Sequence, residues 1–459
     1  MEAAPNLQQH LHGVSSSLSD SLKKIVKETM EKLILPMTDD AALDVNRVGP
    51  KAGNLAALGR VGLPIPDGFC VDAEAYRIQL ASLNLDLSPR GGISDAQVME
   101  ARRQAIAIRL GLLSQPIVPS ILEPLLAALQ TLLERSNGAP LVVRSSSLVE
   151  DRFGSSFAGQ FESYLGLENE ADFLVAVRAC WAALWSPRIL RYMQNQGASP
   201  ADTAMGILIQ PLVAARSSGG GLSRTGDDEM LLSATWGLGS AIAQGEVVPD
   251  SYLLSRDGEL LSSESGRKSH GLVCHHHYSD SKNKLFSGVV SSELCLSDAQ
   301  AVELGGYLRR AEAVMGMPVE IEWSRDDAGF RLLQSRPLHM AESTVPDDIW
   351  LNQPNLRGQP AGVGWGSGRA CVISCECELS RVGLGDILVT KFAGPALSRI
   401  LPRVAGVVAE LGGSTSHLAS LARERGIPMI LGVRNATSRI PDGKQVAVDG
   451  VAGIVRWMA

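Results

Sequence analysis

Gly412-Gly413-Ser414-Thr415-Ser416-His417-Leu418-Ala419-Ser420-Leu421-Ala422-Arg423-Glu424-Arg425-Gly426-Ile427-Pro428 sets one histidine at the point where a glycine-rich turn runs into a helix-forming segment. Residues 418 to 425 are rich in Ala, Leu and Arg, which favour helix, and Gly426 with Pro428 supplies the stop. The Ser and Thr residues before His417 are natural N-caps. A helix start offers unpaired N–H groups and the positive end of the helix dipole. It therefore suits a phosphoryl group carried on the imidazole, with Arg423 as a side-chain partner for that group. On its own a lone histidine is more often buried or incidental, so the decision rests on what accompanies it.

Further segments follow a fixed order upstream. Val48-Gly49-Pro50-Lys51-Ala52-Gly53-Asn54-Leu55 is followed by Gly62-Leu63-Pro64-Ile65-Pro66-Asp67-Gly68-Phe69. Arg144-Ser145-Ser146-Ser147 precedes Glu150-Asp151 and Ser155-Ser156-Phe157-Ala158-Gly159-Gln160. Trp236-Gly237-Leu238-Gly239, Pro249-Asp250-Ser251-Tyr252, Glu320-Ile321-Glu322-Trp323 and Gln334-Ser335-Arg336-Pro337 complete the series. With the His417 string, this set resembles the phosphohistidine-swivel dikinase family of phosphoenolpyruvate synthase and pyruvate phosphate dikinase, and the similarity runs from Leu35 to Met458. The resemblance implies an α+β ATP-grasp nucleotide-binding domain over residues 35–337 and a small α/β phosphohistidine swivelling domain over 364–459. A linker over 338–363 joins them, and residues 1–34 form an N-terminal extension.

Length and composition agree with more than one domain, since 459 residues with 45% hydrophobic content can fill several cores. The formal net charge of -7 gives a nucleic-acid partner no compositional support. Met1 to Asn6 lacks a basic stretch leading into an apolar one, and the apolar run from Gly206 to Leu212 is broken by Gln210 and Pro211. A soluble cytoplasmic protein with no membrane partner is expected. Seven cysteines, an odd number, point to reduced thiols. Cys371, Cys375 and Cys377 lack a second cluster to complete a zinc site and are expected to be strand-borne free thiols. His275-His276-His277 reads as an exposed loop, because adjacent side chains cannot converge on one ion.

Leu18, Leu22, Ile25, Val26, Met30 and Leu33 fall on one helical face within Ser15 to Leu35. Helices are expected at Ile117 to Arg135 and Asp172 to Tyr192, and strands at Leu141 to Arg144, Met205 to Gln210 and Arg331 to Gln334. Leu338 to Val363 is rich in Pro, Asn, Gly and Asp, which suits a linker. Beyond it, short apolar strands such as Ile387 to Val389 and Val404 to Val408 alternate with helices.

Phosphoryl transfer needs cations and backbone donors around a polyphosphate, with a metal held by oxygens. The resemblance implies that Lys51 and Arg144 contact phosphates and that the loop from Gly154 to Gln160, including Gly159 and Gln160, brings backbone N–H groups to phosphate oxygens. It assigns Glu322 and Gln334 to Mg²⁺, Arg336 to the transferred group, and the strand around Gln210 to the adenine pocket. Arg144, Arg336 and His417 are the residues expected in catalysis. The plain alternative for Glu322 and Arg336 is a structural salt bridge between them. Pro50, Ser233 and the Ser217-Ser218-Gly219-Gly220-Gly221 run depart from the family pattern and bear on adenine-side geometry and lid closure.

The implied function is an ATP-dependent dikinase half-reaction in which His417 takes phosphate from ATP and AMP is released. Full-length relatives carry a third domain for the acceptor, which the sequence does not show. The organisation therefore resembles the nucleotide and carrier component of a split aryl phosphate synthase, with a separate acceptor-binding subunit and a phenolic acceptor. Pyruvate or another small acceptor, and a non-catalytic ATP sensor, remain the alternatives.

Overall fold

The computed structural model describes residues 33–85, 95–149, 161, 163–195, 199–268, 293–338, 350 and 353–458. The amphipathic face from Leu18 to Met30, Glu150-Asp151, the loop with Gly159 and Gln160, and His275-His276-His277 lie outside the described residues. The described part divides into two compact units, one comprising residues up to 52, 67–148 and 162–212, the other 53–66, 149–161 and 213–459.

The first unit is built on five strands, β1 (Ile34–Pro36), β2 (Phe69–Val71), β3 (Leu141–Ser147), β4 (Ser163–Leu167) and β5 (Met205–Pro211), in the spatial order β1-β2-β5-β3-β4. All neighbours are antiparallel. Ile34, read as the last residue of the extension, thus belongs to the sheet. The helix expected over 172–192 is two, Glu170–Ala183 and Pro187–Asn195, since Pro187 has no N–H to continue the first. The helix expected from Ile117 begins at Pro119, where a missing N–H costs nothing. Trp181, Tyr76 and Phe173 are fully buried, and Trp185 Nε1 donates to Tyr76 Oη at 2.8 Å.

The segment Val45–Arg60, α1, is helical with a break at Gly49, whose φ of 76° and ψ of 159° lie in a region open to glycine alone. A Cβ on Gly49 would lie 2.2 Å from the Ser146 carbonyl oxygen. Gly49→Ala should therefore cost about 3 kcal/mol or more, from strain and collision together. Gly62, also at positive φ but with nothing within 4 Å of its would-be Cβ, should lose only about 1 kcal/mol on the same change. Paired urea titrations check this, and equal losses would remove the steric argument.

In the second unit, β6 (Ser217–Leu222), β7 (Met230–Trp236), β8 (Asp250–Leu254), β9 (Leu260–Glu264), β10 (Val319–Asp326) and β11 (Gly329–Pro337) form an antiparallel sheet in the order β11-β10-β6-β7-β8-β9. Helix α2 (Asp298–Met315) packs on its apolar side, where Gly305 meets Leu254 and Leu308 meets Gly221. Strand alternation leaves the opposite side polar. On it the register aligns Gln334, Glu322, Gly220, Ser233 and Ser251 in one cross-strand row, with Glu320 opposite Arg336 two residues along.

The third sheet joins β12 (Asn355–Arg357), β13 (Gln359–Pro360), β14 (Trp365–Ile373), β15 (Ile387–Thr390), β16 (Gly406–Ala409), β17 (Met429–Leu431), β18 (Gln445–Asp449) and β19 (Ile454–Trp457). Its order is β12-β19-β18-β14-β15-β16-β17-β13, and β14 to β17 run parallel. Parallel strands are buried on both faces. Leu388, Val407 and Met429 accordingly enter one core cluster, and Ile387, Val408 and Ile430 another. Residues 355–360, read as linker, are strands of this sheet, and residues 213–337 cluster with it in the second compact unit.

The six described cysteines are free thiols. Only Cys371 of the trio lies on a strand; Cys375 and Cys377 sit in the turn leading through Glu376–Arg381. No single helix among the described residues is long and apolar enough to cross a membrane.

Candidate active site

Strand β16 ends at Ala409, and the chain passes through Glu410 to Ser416 into helix α3, His417–Glu424. Loops beyond the carboxyl ends of parallel strands are the usual position of functional groups in such sheets. Ser416 is the N-cap, its Oγ accepting from the Ala419 N–H at 3.3 Å, and Gly426 closes the helix at φ 63°. Leu418, Leu421 and Ala422 bury one face of α3 in the core of the third sheet. His417 is left half-buried at the first turn.

The loop before His417 lies against the six-stranded sheet. The Gly412 N–H donates to the Val247 carbonyl at 3.0 Å, and a Cβ on Gly413 would lie 2.5 Å from Pro249 Cγ. A Cβ on Gly220 would lie 2.5 Å from that of Thr415. Glycine at 220 is what lets Thr415 settle over the row that also holds Glu322, Gln334 and Ser233. Ser414 Oγ and Thr415 Oγ1 are buried there without a hydrogen-bond partner, as is Ser233 Oγ. Buried hydroxyls with unused capacity beside a histidine at a helix start are suited to an anionic ligand.

Helix α3 is fastened to the same face by charge. The Glu320 carboxylate, 4% exposed, lies 3.0 Å from Arg336 Nη2 and 2.8 Å from Arg423 Nη2. Ser420 Oγ accepts from Arg336 and donates to Glu320 at 3.1 Å. Burial pushes the Glu320 carboxyl up, but the two guanidiniums outweigh it and hold the group below the ordinary carboxylate range. Arg423 also donates through Nη1 to the carbonyls of Ala361 and Ser414. Its guanidinium is thus committed to the protein, which corrects its reading as a partner for phosphate on His417. Arg336, set against Glu322 as the plain alternative, pairs with Glu320, the residue directly opposite it in the ladder.

Glu322 and Gln334 stand opposite one another on β10 and β11, beside a bulge at Glu322 and Trp323. Asn54 Nδ2 donates to the Ser335 carbonyl at 3.1 Å and steadies β11. Among the described residues no group of three or more His, Cys, Asp or Glu side chains converges on a metal site. A carboxylate and an amide oxygen fit Mg²⁺, a hard cation that takes one or two protein oxygens and completes its shell with water and phosphate.

In the first unit the structure brings together two other segments. Lys51 Nζ donates to the Ser145 carbonyl at 3.3 Å, and the Ala52 N–H donates to Ser146 Oγ at 3.2 Å, so the Val48 to Ala52 part of the first motif lies along β3. Arg144 is half-buried on β3 opposite Leu208, and Gln210 is buried on β5 opposite Val142. Pro50 follows the Gly49 break, at the start of the resumed helix. Glu320, Ser420 and Gly220 were missed by sequence reasoning. Glu320 had a signal, since it precedes Glu322 by one strand period.

The profile of the pyruvate phosphate dikinase AMP/ATP-binding domain matches residues 45–351, and that of the mobile domain of PEP-utilising enzymes matches residues 383–453. The phosphoenolpyruvate synthase of Pyrococcus furiosus is 28% identical over 468 residues, covering 90% of this chain and 57% of that protein. The probable phosphoenolpyruvate synthase of Methanothermobacter thermautotrophicus is 29% identical over 424 residues, covering 90% and 61%. The probable phosphoenolpyruvate synthase of Archaeoglobus fulgidus is 31% identical over 438 residues, covering 92% and 58%. The chain thus spans between 57% and 61% of the length of these relatives.

Proposed function

The chain belongs to the family of pyruvate phosphate dikinase and PEP-utilising enzymes, and from that premise we propose that it carries out ATP-dependent phosphotransfer with His417 as carrier. The observation that supports it most is the charged junction setting the His417 helix on the face with Glu322, Gln334 and Arg336. In the proposed step an imidazole nitrogen of His417 bonds to the β-phosphorus of ATP, the bond from that phosphorus to the α,β-bridging oxygen breaks, and AMP leaves with the electron pair. The terminal phosphoryl group then passes to water or to inorganic phosphate, and the group on His417 goes to the acceptor.

Lys51 and Arg144 are proposed to hold phosphate oxygens, with Gly159 and Gln160 adding to that contact and Gln210 lining the adenine site. Arg336 is proposed to stabilise charge on the moving group. Mg²⁺ held by Glu322 and Gln334 would offset phosphate charge. The names of the relatives favour pyruvate, or a comparably small acceptor, and the phenolic acceptor expected from the sequence has no support in them. The presence of Lys51, Arg144, Glu322, Gln334, Arg336 and His417 together weighs against a bare ATP sensor. Residues 364–459 are proposed to swivel between donor and acceptor, and a separate acceptor-binding polypeptide stands as part of the same proposal.

The test follows nucleotide and phosphate together. With ATP and Mg²⁺ the chain should yield AMP and a phosphorylated protein, and the label should then be chased with pyruvate or a phenol, each with and without co-purifying proteins. ADP as sole product would point to an ordinary kinase. Turnover of either acceptor by the purified chain would remove the need for a partner. A covalent crosslink between positions 413 and 249 should permit labelling and block the chase; repeated turnover by the crosslinked protein would make swivelling unnecessary.

A further inference from the structure

Glu320 carries no role in the proposed transfer, yet it is the carboxylate on which both bodies of the second unit converge. We infer that Glu320 is a positioning residue, a releasable latch that docks the His417 helix on the nucleotide-facing sheet. This rests on the phosphocarrier reading and says how the carrier is held.

The contacts form a continuous chain. Arg336 on β11 pairs with Glu320 on β10, Glu320 accepts from Arg423 and Ser420 on α3, and Arg423 donates to the Ser414 carbonyl in the His417 loop. The group proposed to meet the transferred phosphoryl is therefore linked through one carboxylate to the backbone that carries the histidine. All three charged groups are buried, at 4%, 6% and 8% exposure for Glu320, Arg423 and Arg336. The other contacts between the same elements use main-chain acceptors or close glycine approaches: the Gly412 N–H to the Val247 carbonyl, Arg267 Nη2 to the carbonyls of Glu410 at 2.7 Å and Gly432 at 3.4 Å, Gln359 Nε2 to the Pro249 carbonyl at 3.4 Å, Gly413 against Pro249, Gly432 against Val248, Gly245 against Ala393, Gly226 against Val451, and Thr415 over Gly220.

An ionic latch suits a contact that must break at every turnover. Charges regain hydration when they separate, which offsets much of their lost attraction, whereas apolar surface pays fully for renewed exposure to water. Charged groups also fix orientation, since Glu320 accepts from three directed donors. A carboxylate shared by two guanidiniums senses either of them. An anion drawing on Arg336 leaves Glu320 to Arg423 and Ser420, so the carrier stays docked while phosphate is in transit.

Glu320→Gln keeps shape and removes the charge. His417 labelling by ATP and Mg²⁺ should slow by about tenfold or more, because a carrier displaced by an ångström loses that much, while the half-saturating ATP concentration stays within about threefold. Amide exchange should rise across residues 412–424 and stay unchanged in β14, β15 and β18. A merely structural role would raise exchange throughout the third sheet. Ser420→Ala, which leaves every charge in place, should move both readouts in the same direction by less and guards against a misfolded first variant. Labelling by both variants at the parent rate, or exchange rising across the whole third sheet, would overturn the latch. Failure of the parent chain to label at all would instead overturn the phosphocarrier reading.

Discussion

Replacing His417 by alanine should abolish retention of phosphate from ATP while leaving the fold intact. After incubation with ATP and Mg²⁺, intact-mass analysis should find an acid-labile, base-stable adduct on the parent protein and none on the variant. A neutral imidazole is available as nucleophile near pH 7, and no hydroxyl beside it forms an adduct with that lability. The structural cost is small because the cap belongs to Ser416, the packing to Leu418 and Leu421, and alanine is the best helix former. Stability should change by no more than about 1 kcal/mol. An unchanged adduct on the variant would sink the assignment of His417.

Arg336→Ala should slow labelling of His417 by about 10² to 10³, the usual worth of a donor aimed at developing charge, and weaken nucleotide binding far less. The variant does not orphan the buried carboxylate, since Arg423 and Ser420 still donate to Glu320. Arg336→Lys should fall between the two, as it keeps the charge and loses the planar fork. Single-turnover labelling against ATP concentration separates the terms. Equal losses in rate constant and affinity would show that Arg336 binds ground state and transition state alike.

The parts of the site legible in the sequence are those written in local chemistry. The Ser416 cap, the α3 helix and the Gly426 stop follow from adjacent residues, and the grouping of Glu322 with Gln334 follows from the family resemblance, their facing register being set by the β10–β11 ladder. Arg423 was misread for a geometric reason. Six residues beyond His417 on a helix, it is rotated by about 240° from it and faces another way. Its true partner, Glu320, is 103 residues distant in the chain, and only tertiary packing brings them together. The linker was overextended because strands of two and three residues, at 359–360 and 355–357, show no periodicity to set against their Pro and Gly content. The grouping of residues 213–337 with the terminal sheet is likewise a property of contacts between elements, which no single segment encodes.

Strand β6 carries Gly219, Gly220 and Gly221 in succession at the centre of its sheet, where a polypeptide gains most from large β-formers. Half of its six residues bring no side chain, and each glycine surrenders more backbone freedom on folding than any other residue. Its order is consequently borrowed: from the ladders to β7 and β10, from Trp323 and Leu308 on one side, and from Thr415 on the other. In the swivelling proposed above, departure of the carrier would remove the last of these supports and soften the middle of the sheet. On that proposal the strand beneath the histidine loop is stiff with the carrier seated and pliant with it away, and rigidity in this sheet becomes a quantity that the carrier lends and takes back.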